Sequence, residues 1–168
     1  MKSTPTNVAS TLCLTALLLA PGTHGLADSA RAATGGVLRV VDGVQFPLTV
    51  AGVQAALDAA EAAGGGTVEI PSDANILVTD TSVKIGNGVK LVGTGDHTQT
   101  PTFTANARTR VAAMVENKTQ NGRQQYAYVT GIHIEGNKGS GARVAHCLGF
   151  KHVYLGSAIK DVLVNIGA

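Results

Sequence analysis

Short pairs of apolar residues, separated by one other residue, recur at nearly constant spacing along the middle of this chain. The pairs are Val68/Ile70, Val89/Leu91, Val111/Ala113, Ile132/Ile134 and Val153/Leu155, and their first members are 21, 22, 21 and 21 residues apart. Such alternation is typical of a strand with one buried face. A strand that returns at a fixed interval predicts a solenoid. We therefore expect an all-β, parallel structure with these pairs stacked in one interior row.

The apolar period changes from two to about 3.6 between Val50 and Ala63. This pattern predicts one amphipathic helix immediately before the first strand. Thr49 is a suitable N-cap, and Gly64 can adopt the left-handed conformation that ends a helix. Because the end of a stack exposes apolar side chains and unpaired backbone groups, we expect this helix to be an N-terminal cap. The alternative is an ordinary surface helix.

The beginning of the chain resembles a secretory signal peptide. A basic start precedes an apolar run from Leu12 to Ala20, which small residues follow. The run is too short to span a bilayer. Cleavage after Ala27 or Ala32 would leave residues 33–168 as the mature domain, and we expect it to be secreted or periplasmic. The alternative is a buried N-terminal helix.

Composition agrees with a narrow aliphatic core. Hydrophobic residues make up 44% of the chain and aromatic residues only 4%. The net charge of +2 is too small to indicate a nucleic-acid partner or an anionic membrane surface. Removal of Cys13 with the signal would leave Cys147 as a small core residue, so we expect no intramolecular disulfide. The sequon Asn117-Lys118-Thr119 is expected to be an unused surface tripeptide.

Two stretches of the sequence point to a known family. Gly52–Gly95 reads GVQAALDAAEAAGGGTVEIPSDANILVTDTSVKIGNGVKLVGTG, and Ile132–Asn137 reads IHIEGN. A helix of the type IQAAIDAA, a Gly-rich turn, a GTVxxP strand and a VxLVGxG strand follow one another, and a coil of the type xIxIxGN comes later. The chain thus resembles the N-terminal portion of the pectate-lyase superfamily. Asp96–Arg123 matches poorly, and we interpret it as a coil with a long loop.

The resemblance implies a right-handed parallel β-helix from an exported carbohydrate-active protein. The superfamily includes polysaccharide lyases, polygalacturonase-like hydrolases, epimerases and phage tailspike-like proteins, so it leaves the activity open. The first hypothesis is cleavage of an acidic polysaccharide such as pectin, by lyase or hydrolase chemistry. The alternative is a non-catalytic adhesin or tailspike-like module that binds surface glycans. For the lyases the resemblance also implies Ca²⁺ as a cofactor.

The end of the chain departs from the family pattern. Val162–Val164 predicts one more strand, and Ala168 follows four residues later. We therefore expect an incomplete β-helix whose catalytic coils are missing here. The alternative is an open end that another protein or a second subunit covers, in which case the chain self-associates.

The residues themselves assign no catalytic or metal site. No Asp-Asp, Asp-x-Asp or Glu-x-Glu occurs, whereas glycoside hydrolysis needs two neighbouring carboxylates and calcium needs several oxygen ligands. The family's hydrolase motifs are absent as well.

Neighbours of the inward pairs predict an outward strip that faces a glycan. Its members are Lys90, Arg110, His133, Glu135, His152 and Tyr154. Glu69 should lie beside Lys90 in this strip, and His133 beside Tyr154. His133 is the best single candidate because histidine titrates near neutral pH. The alternative is a solvated outer face.

Overall fold

The computed structural model describes residues 37–39, 46–96, 99–119, 124–154 and 156–166. The predicted signal peptide and Leu155 lie outside these residues. The described chain is mostly β-structure, with α-helix α1 (Val50–Ala62) and a 3-10 helix (Lys138–Ser140). In chain order its strands are β1 (Val37–Arg39), β2 (Gly66–Ile70), β3 (Asn75–Val78), β4 (Val83–Ile85), β5 (Val89–Gly93), β6 (Thr102–Ala105), β7 (Arg110–Asn117), β8 (Gln124–Gln125), β9 (Tyr128–Thr130), β10 (His133–Glu135), β11 (Arg143–Gly149), β12 (Val153–Tyr154), β13 (Ala158–Lys160) and β14 (Leu163–Asn165).

These strands form parallel sheets that the chain visits in a fixed cyclic order. Sheet A has the order β1-β2-β5-β9-β13, sheet B the order β3-β6-β10-β14, and sheet C the order β4-β7-β11. A small sheet D pairs β8 with β12. Strands β2, β3 and β4 form the first circuit through sheets A, B and C, and later circuits repeat this path. Every strand pairing among the described residues is parallel.

The core lies between the sheets because each strand turns alternate residues inward. Sheet B shows this best: Ile76, Phe103 and Ile134 are register partners, and all three are fully buried. Their partner in the last circuit is Val164, which is 43% exposed. Ile159, the last inward residue of sheet A, is 47% exposed. The fourth circuit is therefore an open, apolar end, which we call the upper end.

Helix α1 closes the opposite, lower end, as the sequence predicts. Its buried face (Val53, Ala56, Leu57 and Ala60) belongs to the same core as the inward strand residues. The Gln54 amide accepts from the Lys84 N–H at 2.8 Å and donates to the Lys84 carbonyl at 3.0 Å. Strand β4 is the edge of sheet C, so this side chain occupies backbone groups that a further strand would bind. The hypothesis of an ordinary surface helix is wrong.

The ends of α1 also agree with the prediction. Thr49 has an extended N-cap conformation, and its hydroxyl accepts from the Gly52 N–H at 3.1 Å. Gly64 has φ 91°, the left-handed conformation that favours glycine. Lys118, beyond β7, pairs with Glu61 at 2.7 Å and with Asp58 at 3.1 Å. These ion pairs join the helix to the second circuit.

The single interior row of five pairs is wrong. Val68 and Val89 both lie in sheet A, but Val68 pairs with Leu91 and Val89 pairs with Gly66. The remaining pairs lie elsewhere: Val111/Ala113 in sheet C, Ile134 in sheet B and Val153 in sheet D. The inward direction is nevertheless confirmed for the first four pairs, whose residues are all buried. A two-residue alternation identifies a buried face but not the strand that pairs with it.

The real interval between paired residues is longer than 21 and varies. Along sheet A, Val68, Leu91, Val129 and Ile159 follow one another at 23 (91 − 68), 38 (129 − 91) and 30 (159 − 129) residues. Two strands, β6 and β7, lie in the segment interpreted as a coil with a long loop. The predicted strand Val162–Val164 corresponds to β14, displaced by one residue. No helix in the described ranges is long and apolar enough to cross a membrane.

Candidate functional site

Two arginines lie side by side on the outer face of sheet C. Arg110 begins β7, Arg143 begins β11, and the two are register partners on adjacent strands, whose backbones are about 4.8 Å apart. Both side chains are exposed, whereas the following residues, Val111 and Val144, are buried and half-buried. Because neighbours along a strand face opposite ways, both arginines point outward. We call them the arginine pair.

The turn before β7 fixes this pair. The Arg110 Nη1 donates to the carbonyls of Ala107 and Thr109, both at 2.7 Å. Thr109 is fully buried, and its hydroxyl accepts from the Asn106 N–H at 2.8 Å. The Thr109 carbonyl also accepts from the Arg143 N–H at 3.0 Å. One rigid turn therefore positions both strands at their first residue.

The arginine pair is an uncompensated positive site. Among the described residues, no carboxylate forms an ion pair with either guanidinium. Like charges that face each other on neighbouring strands repel, so an anion bound between them would be stabilised by both. Beside the pair, Ala112 and Ala145 are exposed and small, which leaves the surface next to the guanidinium groups open.

A second polar surface lies on sheet B. His133 and Glu135 are both half-buried and share the outer face of β10. In neighbouring strands His133 pairs with Thr102 and Leu163. The Nε2 of His133 is buried and has no hydrogen-bond partner. A buried nitrogen without a partner is costly, so a polar group of a ligand could satisfy it.

The structure separates most residues of the predicted strip. Only His133 and Glu135 share a face; Arg110 lies on sheet C and Lys90 on sheet A. His152 is exposed at the bend before β12, with φ 50°. Tyr154 pairs with Gln125 in sheet D rather than lying beside His133, so that predicted neighbour is wrong.

The other predicted neighbours are wrong as well. Glu69 pairs with Val92, whereas Lys90 pairs with Thr67 and Tyr128. These errors have one cause: the predicted strip assumed a fixed repeat of 21 residues, which the varying loops do not keep.

Arg143 was missed by the sequence reasoning although the chain contains a signal for it. The tripeptide Arg-Val-Ala occurs at 110–112 and again at 143–145, and the two copies pair in register. They are 33 residues apart (143 − 110), so a search at 21 residues does not align them.

Two other residues have structural rather than chemical roles. Asn117 is fully buried; its amide accepts from the Lys151 N–H at 2.9 Å and donates to the Lys151 carbonyl at 2.8 Å. The surface position expected for this sequon is therefore wrong. Cys147 is buried, as expected, and burial raises the pKa of its thiol. It lines a cavity of about 280 Å³ at the upper end, together with Val144 and Ile166.

The described residues do not fit a calcium ion. In this part of the chain no three His, Cys, Asp or Glu side chains lie close enough together to hold a metal, whereas Ca²⁺ takes six to eight oxygen ligands. In comparisons with known proteins, this chain matches no family model, no curated protein and no solved structure.

Proposed function

We propose that this chain is part of a right-handed parallel β-helix of the pectate-lyase superfamily type and that it binds an acidic polysaccharide. Three features support the fold: the cyclic passage through sheets A, B and C, the uniformly parallel pairing, and helix α1 at the lower end. The sequence resemblance of Gly52–Gly95 points to the same superfamily. Export through the N-terminal segment belongs to the same proposal.

The arginine pair is the observation that carries the ligand class. A guanidinium binds a carboxylate through two parallel hydrogen bonds, which an ammonium cannot do. Two guanidinium groups on adjacent strands offer two such contacts within about 5 Å. A polyuronate carries one carboxylate on every sugar, so neighbouring sugars can engage both arginines. A neutral glycan would leave the two charges unpaired.

Titration with polygalacturonate and with neutral dextran tests this proposal. We expect binding of polygalacturonate alone, weakened by salt because the contacts are exposed and charged. Arg143→Gln should weaken binding about tenfold, the effect of losing about 1.4 kcal/mol. Lys84→Gln is the matched control: it removes one positive charge from sheet C, at a lysine already 3.8 Å from Glu116. Equal losses in the two variants would refute a specific role for the arginine pair.

The second candidate is an enzyme that cleaves the bound polymer by lyase or hydrolase chemistry. His133 and Glu135 on one face of β10, with an unpartnered imidazole nitrogen, are the observation that favours it. We expect no turnover by this chain, because its sequence lacks paired carboxylates. Reducing ends and unsaturated products, measured on the purified protein with and without Ca²⁺, check this. Turnover abolished by His133→Ala would establish the enzyme.

We also propose that copies of the chain associate through their upper ends. Ile159, Leu163, Val164 and Ile166 are all exposed there, and unpaired edge strands invite pairing with another chain. Because α1 closes the lower end, two upper ends can meet only about a twofold axis. Sedimentation analysis should show a dimer that Val164→Lys converts to a monomer; a monomeric wild-type protein would refute the association.

A further inference from the structure

The outer face of sheet A carries an aromatic ring with a lysine beside it. Tyr128 begins β9, and its register partners are Lys90 on β5 and Ala158 on β13. The Lys90 Nζ lies over the ring, 6.0 Å from its centroid. The Tyr128 side chain is half-buried, and Lys90 is exposed. In the described part of the chain neither side chain has a salt-bridge partner.

The two sides of this ring differ. Lys90 lies on the side toward the first circuit, whereas Ala158 lies on the other side and ends at its Cβ. One methyl group cannot cover a phenol ring, so that side of Tyr128 is open. A distance of 6.0 Å is also at the outer limit for an attractive ammonium–ring contact. The ammonium is therefore free to bind an anion that approaches the ring.

An acidic sugar matches both groups. The face of an aromatic ring is negative, and it attracts the weakly positive C–H groups on the apolar side of a pyranose. A carboxylate on the same sugar can then accept a charge-assisted hydrogen bond from Lys90. A neutral sugar uses the ring alone, and a simple anion uses the lysine alone.

We propose that Tyr128 and Lys90 form a second site for an acidic sugar, separate from the arginine pair. The ligand class rests on the proposed function, but the site does not. The outer faces of sheets A and C point away from a shared core, so one short oligomer cannot reach both sites. A long polymer can occupy both on one molecule, or two polymer strands can be joined by one protein. The chain is then bivalent, and its binding of polymer exceeds its binding of short oligomers.

Calorimetric titration with trigalacturonate at low salt tests the inference, with circular dichroism to confirm that each variant folds. We expect two sites in the wild-type protein and one in Tyr128→Ser, which retains the arginine pair. Tyr128→Phe keeps the ring and should keep both sites. The double variant Arg110→Gln/Arg143→Gln should also retain one site, which maltotriose does not fill. With long polygalacturonate, only the wild-type protein and Tyr128→Phe should produce turbidity.

The outcomes separate the two proposals. A single wild-type site that the double arginine variant abolishes and Tyr128→Ser leaves intact overturns the second site alone. A single site abolished by Tyr128→Ser and unaffected by the arginine changes overturns the role of the arginine pair and retains the second site. Absence of all binding overturns both.

Discussion

Replacing Ile134 by alanine tests the interior at a fully packed position. Ile134 is completely buried on β10, with Phe103 and Val164 as its register partners. The change removes three carbon atoms, and burial of each contributes about 0.8 kcal/mol, so about 2.4 kcal/mol of transfer free energy is lost. The neighbours relax only partly around the resulting cavity, which adds to the loss. We expect the free energy of unfolding to fall by about 3–4 kcal/mol.

Urea unfolding followed by circular dichroism measures this change, provided that the slope against urea stays constant. His133→Ala is a control on the same strand: it changes the outward neighbour, and we expect a loss below about 0.5 kcal/mol. Val164→Ala lies in the same inward row, but its side chain is 43% exposed, so we expect about 1 kcal/mol. A larger loss for His133→Ala than for Ile134→Ala would mean that the faces of β10 are exchanged, and the described interior would be wrong.

Three further predictions follow from charged and polar contacts. Arg143→Gln removes repulsion between like charges, so urea unfolding should show a gain of about 0.2–1 kcal/mol at low salt that high salt removes. Hydrogen bonds to Glu61 raise the pKa of Lys118; the stability this gives is complete below the ordinary lysine pKa of about 10.4 and is lost as the pH rises through the higher folded-state pKa. Lys118→Gln should therefore flatten the fall in stability at alkaline pH, and an unchanged slope would contradict this pairing. Asn117→Ala leaves backbone groups of Lys151 without partners and should cost about 2–3 kcal/mol, and mass spectrometry after expression in a glycosylating host should find Asn117 unmodified.

Much of the local structure was predictable from the sequence because local rules determine it. The cap at Thr49, the left-handed Gly64 and the apolar face of α1 depend only on nearby residues. The partners of each strand depend instead on the lengths of the connections. Between Leu91 and Phe103 the chain takes 12 residues (103 − 91), whereas between Val129 and Ile134 it takes 5 (134 − 129). Side-chain alternation does not reveal this difference.

The candidate site shows the same division. Arg110 was predicted to face outward, and its exposure confirms this. Its neighbour Arg143 follows from strand register, which the sequence reveals only through the repeated Arg-Val-Ala. The regular part of the repeat is also visible only with register in hand. Residues 128–130 pair with residues 158–160, and the bends that follow have positive φ at Gly131 and Asp161.

The closed lower end has a consequence for how the protein forms. Helix α1 and strands β2 to β5 lie within 44 consecutive residues (50 to 93), so the end of the stack can assemble before the rest of the chain has been synthesised. Each later circuit then finds a finished edge about 30 residues back, and no pairing has to wait for a distant segment. Short sequence separations favour fast folding, and chains emerge from the ribosome N-terminus first. Growth therefore proceeds in one direction from α1, and the apolar upper edge is the growing end at every stage.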